Sequence, residues 1–315
     1  MTDRSPVAAP ATLASTSAVR VTTRPRLFDP RMAWQRLPPH AYFVGSAIFH
    51  YLGPAFAVLL FARVDPLGVA WLRIASAALV FALWRKPWRR IAGLDRETRR
   101  LLLGLGVVFA VMNSLFYVAI DRLPLGTVAA IEFLPVILLA ALGVRTPRNG
   151  VALALAVPGV YVLTDVQLAS EPLGIAFAFA NAALFALYIV LAHRVSRSTA
   201  LDRLDGLAAA MLIAAVAITP IGGFSAAKGM LDPVAIAAGL GVGIASSVIP
   251  YVCDQLAMAR LKRATYSLLV ALLPATATVI GVLVLAQFPS WAEVLGVALI
   301  VAAVAVHKDR AEATG

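Results

Sequence analysis

Three ionisable side chains stand in the middle of apolar runs: His50, Arg73 and Glu132 each fall within two residues of the centre of a stretch long enough to cross a bilayer. A charge there costs roughly 2.5 to 3.5 kcal/mol on insertion scales, so such groups face a cavity or a partner. Two readings of Arg73 and Glu132 stand open. They form a structural ion pair, joined by a charge-assisted hydrogen bond and fixing helix register, or they border a polar cavity that binds a substrate or a proton. In the second reading the guanidinium holds a carboxylate, while Glu132 exchanges a proton or binds an amino group. His50 either tunes that proton step or hydrogen-bonds a neighbouring carbonyl, and Pro54 frees backbone carbonyls that can line a cavity.

Other polar residues lie at similar depth: Asn113 and Ser114 with Tyr117 a turn on, Asn181 with Tyr188 two turns on, Ser246 and Ser247, Tyr251 and Thr276. The candidate substrate-binding set is therefore His50, Tyr51, Arg73, Asn113, Tyr117, Glu132, Asn181, Tyr188, Ser247 and Tyr251. Taken singly, Asn and Ser also serve as glue between helices in lipid. Asp254 lies about seven residues past the centre of its run, on the order of 10 Å toward one membrane face. With Glu132 it is the candidate for proton coupling or gating, the alternative being an interfacial ion pair with Arg260 or Arg263. Asp65, Asp121, Asp165 and Glu293 fall at the ends of runs, where water solvates them.

These residues must be positioned by membrane-spanning helices. Only 14% of the 315 residues are charged and 61% are hydrophobic, whereas a soluble domain carries about a quarter charged. The expected fold is all-α, with ten transmembrane helices at about 40–62, 66–84, 101–121, 123–144, 150–165, 173–193, 206–227, 237–257, 264–286 and 289–307. Residues 1–38 read as a disordered cytoplasmic tail, with a transit peptide as the alternative, and 309–315 as a second cytoplasmic tail.

The net charge of +11 is read by its placement, which points to membrane topology and no nucleic-acid partner. With both termini inside, the inner segments hold 23 Lys and Arg and the outer loops 3, namely Arg63, Arg122 and Lys228. The basic segment 85–100 also suits anionic membrane lipid.

The chain repeats internally. AIDRLPLGT at 119–127 and AMARLKRAT at 257–265 agree at four of nine positions, and each leads into an apolar run with a proline, Pro135 or Pro274. Two halves, 39–165 and 171–308, with five spans each must enter the membrane from opposite sides, which is the inverted repeat of secondary transporters.

The chain lacks GxxxxGK[ST], HExxH, GxSxG and CxxC signatures, so no ATP-driven step of its own and no cofactor or metal is expected. The single cysteine, Cys253, excludes an internal disulfide. The chemistry expected is that of a non-enzymatic secondary transporter of a small molecule, driven by a proton, a counter-solute or the solute's own gradient. The alternatives are an exporter of drugs or lipophilic cations caged by Tyr51, Tyr117, Tyr188 and Tyr251, and a membrane-embedded enzyme or sensor.

The stretches LPLGTVAAIEFLPV and AMARLKRATYSLLVALLPATATVIGVLV, with the five-plus-five repeat, resemble EamA-type transporters of the drug/metabolite transporter superfamily. Within it WLRIASAALVFALWRKPWR, NSLFYVAIDRLPLGTVAAIEF and IPYVCDQLAMARL are similar to the threonine/homoserine exporter branch. The resemblance covers nearly everything after residue 40. It implies export of small polar metabolites, most of all amino acids, across a bacterial inner membrane, and it assigns Arg73, Asn113, Glu132 and Asp254 to charged or polar positions of that branch. Two positions depart from the pattern: Gln287 replaces an acid after the ninth span, and Leu134-Pro135 replaces Gly-Pro after Glu-Phe.

Overall fold

A computed structural model describes residues 38–143, 146–168, 170–196, 203–227, 229–258, 260–261 and 269–306. Both expected cytoplasmic tails, apart from Pro38, lie outside these residues. Among them every regular element is helical.

We number the main helices α1 (Pro39–Leu60), α2 (Pro66–Arg85), α3 (Arg96–Ile120), α4 (Leu125–Glu132), α5 (Leu134–Gly143), α6 (Pro147–Leu168), α7 (Pro172–Ser196), α8 (Arg203–Ile218), α9 (Pro233–Gly243), α10 (Ile249–Met258), α11 (Leu273–Leu285) and α12 (Trp291–Val306). Among the described residues six segments are long and apolar enough to cross a membrane, and shorter apolar helical stretches lie at Leu125–Leu138, Leu273–Leu285 and Trp291–Val306.

Local chemistry sets the boundaries. Prolines open α1, α2, α6, α7 and α9, where a missing N–H costs nothing. The expected third span gains a polar first turn because the Asp95 side chain accepts from the Glu97 and Thr98 N–H groups at 3.1 Å. Outside the spans, Arg63 donates to Asp232 at 2.7 Å and holds that carboxyl below its ordinary value.

The expected single span at 123–144 is instead two helices. Phe133 is a turn between α4 and α5, and Pro135 has no N–H for the Ile131 carbonyl four residues back. A matching turn at residues 271–272 precedes Pro274 in α11. The helix before the first break meets the helix after the second: a Cβ on Gly126 of α4 would collide with Thr278 Oγ1 of α11 and lie 3.1 Å from its Cα. Only a residue without a side chain permits that approach. The C-terminus of α11 turns at Ala286 (φ 53°), and Gln287 Oε1 then accepts from the Leu125 N–H at the start of α4 at 3.0 Å. The fully buried Tyr51, Phe81, Tyr117, Leu125 and Ile131 belong to one apolar cluster to which α7, α8, α9 and α11 also contribute.

Candidate functional site

Arg73 is only 6% exposed, on the face of α2 that meets α3 and the α9–α10 junction. Each guanidinium nitrogen has one protein acceptor: Nη1 donates to Asn113 Oδ1 at 2.8 Å, Nε to Ser247 Oγ at 3.2 Å and Nη2 to the Ser246 carbonyl at 3.3 Å. Asn113 is oriented for this by its own amide nitrogen, which donates to the Phe109 carbonyl at 2.8 Å. The Ser246 carbonyl is available because Pro250, four residues on, has no N–H to give it. The backbone there is a π-helical turn, Ile244–Val248, a distortion often found at functional sites. The guanidinium also lies over the Tyr117 ring, 5.5 Å from its centroid. Arginine has five N–H donors, so three such bonds leave one N–H on each terminal nitrogen.

Glycines bring these elements together. A Cβ on Gly53 of α1 would lie 2.8 Å from the Ser246 backbone, and one on Gly243 would lie 2.7 Å from the Arg73 carbonyl. The absence of side chains at these two positions lets the backbones pack closely around Arg73.

Glu132 is the last residue of α4, at the helix break. Its Oε1 accepts from Asn181 Nδ2 of α7 at 3.2 Å. Among the described residues no carboxylate forms an ion pair with Arg73, so the bond between Arg73 and Glu132 that the first sequence reading required is absent. Neutral amides and hydroxyls hold the two charges separately.

Both charges border one cavity of about 300 Å³, at the lower end of the ~300 to 1,000 Å³ typical of ligand pockets. Of the sequence candidates, His50, Arg73, Asn113, Glu132, Asn181, Tyr188 and Tyr251 line it. Tyr51, Tyr117 and Ser247 stand behind the wall. Ser247 and Tyr117 support Arg73, and the Tyr51 ring meets the His50 ring edge-on, at 5.1 Å between centroids. Asp254, one turn beyond Tyr251 on α10, is not among the lining residues. Ser114 donates to the Ala110 carbonyl of its own helix and Thr276 to the Leu272 carbonyl in the turn before α11, and both are absent from the lining too.

The sequence reading missed the apolar wall: Met112, Phe116, Phe133, Val136, Phe185, Val270 and Leu273. Phe185 stacks on Tyr188 with centroids 6.1 Å apart and meets Phe133 edge-on at 6.3 Å. Helical spacing held a signal for part of it, because Phe185 and Tyr188 follow Asn181 by four and seven residues and so share its face. No group of three His, Cys, Asp or Glu side chains among the described residues is arranged to hold a metal ion.

Comparison with known proteins adds a family. Residues 172–307 match the EamA-like transporter family. Over 256 residues the chain is 34% identical to the threonine/homoserine exporter RhtA of Escherichia coli K12, covering 80% of this chain and 84% of that protein. The chain belongs to the EamA-like transporter family. RhtA of Salmonella typhimurium SL1344 is 32% identical over 255 residues, with the same coverage. A solved crystal structure 21% identical shares the fold, with a TM-score of 0.54 over 85% of this chain and 96% of that one. This EamA-like protein is thus a multi-pass membrane transporter rather than an enzyme, and membership of the family implies a small-molecule substrate.

Proposed function

We propose that this protein is a secondary transporter that exports small amino acids such as threonine or homoserine by alternating access around the Arg73–Glu132 cavity. The observation that carries the reading is the separation of charges: one cationic and one anionic side chain border the same cavity, each fixed by neutral partners and neither neutralising the other. An α-amino acid presents the complementary pair. The two free N–H groups of Arg73 suit a carboxylate, and Glu132 suits the ammonium group.

In this reading the chain crosses a bacterial inner membrane ten times, in two inverted repeats at 39–165 and 171–308, with both termini in the cytoplasm. The 23-to-3 bias of basic residues and the matching helix breaks before Pro135 and Pro274 support it. Glu132 doubles as the proton-exchanging group or meets a counter-solute, Asp254 acts as a gate on the path rather than in the cavity, and His50 tunes the proton step. Tyr51, Tyr117 and Ser247 act through Arg73 and His50.

The aromatic wall of Phe116, Phe133, Phe185, Tyr188 and Tyr251 favours a second reading, export of a lipophilic cation. Counterflow of radiolabelled L-threonine into proteoliposomes of the pure protein tests the choice. Amino acids compete and quaternary amines do not if the first reading holds. Arg73→Ala and Glu132→Gln then each abolish counterflow, and wild-type rates in both variants refute the assigned roles.

A further inference from the structure

We propose that Glu132 and Asn181 form a two-acceptor subsite for an ammonium group, which limits the transported solutes to those whose nitrogen keeps at least two N–H donors. The inference rests on the amino-acid reading above and adds to it a rule of selection. Asn181 is fully buried yet borders the cavity. Its Nδ2 donates to Glu132 Oε1 at 3.2 Å. An ionised carboxylate only accepts, so this contact also fixes which end of the amide points where, since the reverse orientation would set two acceptors against each other. The consequence is an orphan: Asn181 Oδ1 is buried with no hydrogen-bond partner. Buried carbonyl oxygens in folded proteins are rarely left that way, and this one belongs to a residue that lines the cavity, so an occupant that displaces the wall slightly can supply the donor.

The chemistry of the missing donor follows from its neighbours. Asn181 Oδ1 belongs to the same amide whose nitrogen already serves Glu132, so a solute nitrogen at this point meets a carboxylate and an amide oxygen together. Filling both takes two N–H groups on one nitrogen. A primary ammonium carries three, an N-methyl ammonium two, an N,N-dimethyl ammonium one and a trimethyl ammonium none. Selection therefore falls between the first and second methyl groups. A site made of one carboxylate and aromatic faces has no such step, because aromatic faces accept a methylated cation readily.

The test is counterflow of radiolabelled L-threonine and L-homoserine in proteoliposomes of the full chain, with L-threonine and its N-methyl, N,N-dimethyl and N,N,N-trimethyl derivatives as competitors. In the wild type the first methyl weakens competition by less than about threefold. The second weakens it by roughly tenfold or more, the loss expected when an acceptor bonded to a charged donor is left empty. Asn181→Leu removes the orphan acceptor, so the step between the N-methyl and N,N-dimethyl competitors disappears while overall affinity falls. Asn181→Ser is the second variant and also flattens the step. A wild-type protein that treats the N-methyl and N,N-dimethyl derivatives alike overturns the subsite, whether or not either variant folds, and so does a variant that keeps the wild-type step. Absence of L-threonine and L-homoserine counterflow in the wild type overturns the amino-acid reading itself, and the subsite falls with it.

Discussion

Adding one methyl group at Gly53 tests whether the fixed geometry of Arg73 matters. A Cβ there would overlap Ser246 Cβ and sit 2.8 Å from the Ser246 backbone, and ordinary contact begins near 3.4 Å, so α1 and the π-helical turn must part by at least about 0.6 Å. The helix cannot simply slide away, because Ser46 Oγ donates to the Pro250 carbonyl at 3.2 Å from the same face of α1. Movement of the turn stretches the Arg73 bonds to Ser247 and to the Ser246 carbonyl, already 3.2 and 3.3 Å long, beyond hydrogen-bonding distance. Overpacking of this kind costs about 1 to 3 kcal/mol, and each lost bond to a charged group adds about 1.5 to 3 kcal/mol. The gain in helix propensity from glycine to alanine returns at most about 1 kcal/mol.

Gly45, on the same helix, supplies the control, because a methyl group there would meet nothing within 4 Å. Gly45→Ala should melt in detergent at or above the wild-type temperature and transport normally. Gly53→Ala should melt several degrees lower and lose L-threonine counterflow by at least tenfold. If Gly53→Ala melts and transports as Gly45→Ala does, the turn does not fix Arg73 and the reasoning fails.

Three further outcomes follow from the same geometry. Pro135→Ala returns an N–H to the Ile131 carbonyl, so the protein should melt no lower than wild type while counterflow falls, because α4 and α5 join and carry Glu132 away from Asn181. Gln287→Leu leaves the Leu125 N–H without its acceptor, at a cost of about 1 to 3 kcal/mol seen as a lower melting temperature, whereas Gln287→Glu keeps an acceptor and the stability. Arg63 lowers the Asp232 carboxyl below its ordinary 3.8, so that contribution is complete above pH 3.8 and is lost only as pH falls through the lower folded value. The effect of Asp232→Asn on melting should therefore be the same at about pH 5 and about pH 8.

How much of this was legible in the residues differs from one side chain to the next. The cost of a charge in hydrocarbon singled out Arg73 and Glu132, and both line the cavity. Similar position along other runs picked out Asn113 and Asn181, which line it too. It gave Tyr51, Tyr117 and Ser247 equal standing with Tyr188 and Tyr251, although the first three stand behind the wall. Depth along a span is written in the sequence, but direction around the helix is not. In water an apolar stripe tells the core face from the solvent face; in lipid both faces are apolar, so the stripe fades and only its spacing from Asn181 sets Phe185 apart from a membrane-facing residue.

Residue type and spacing along single segments were enough to establish that the chain is helical, that it belongs in a membrane, and which ionisable groups are too costly there to be accidental. That Arg73 and Glu132 stay apart was settled by packing alone. The partners that hold them come from elsewhere in the chain: Asn113 lies 40 residues from Arg73 and Ser247 lies 174, while Asn181 lies 49 from Glu132. The physical reason is that a buried charge takes whichever partner the packing brings nearest. Here glycine contacts, a π-helical turn and two proline breaks brought amides and hydroxyls rather than the opposite charge.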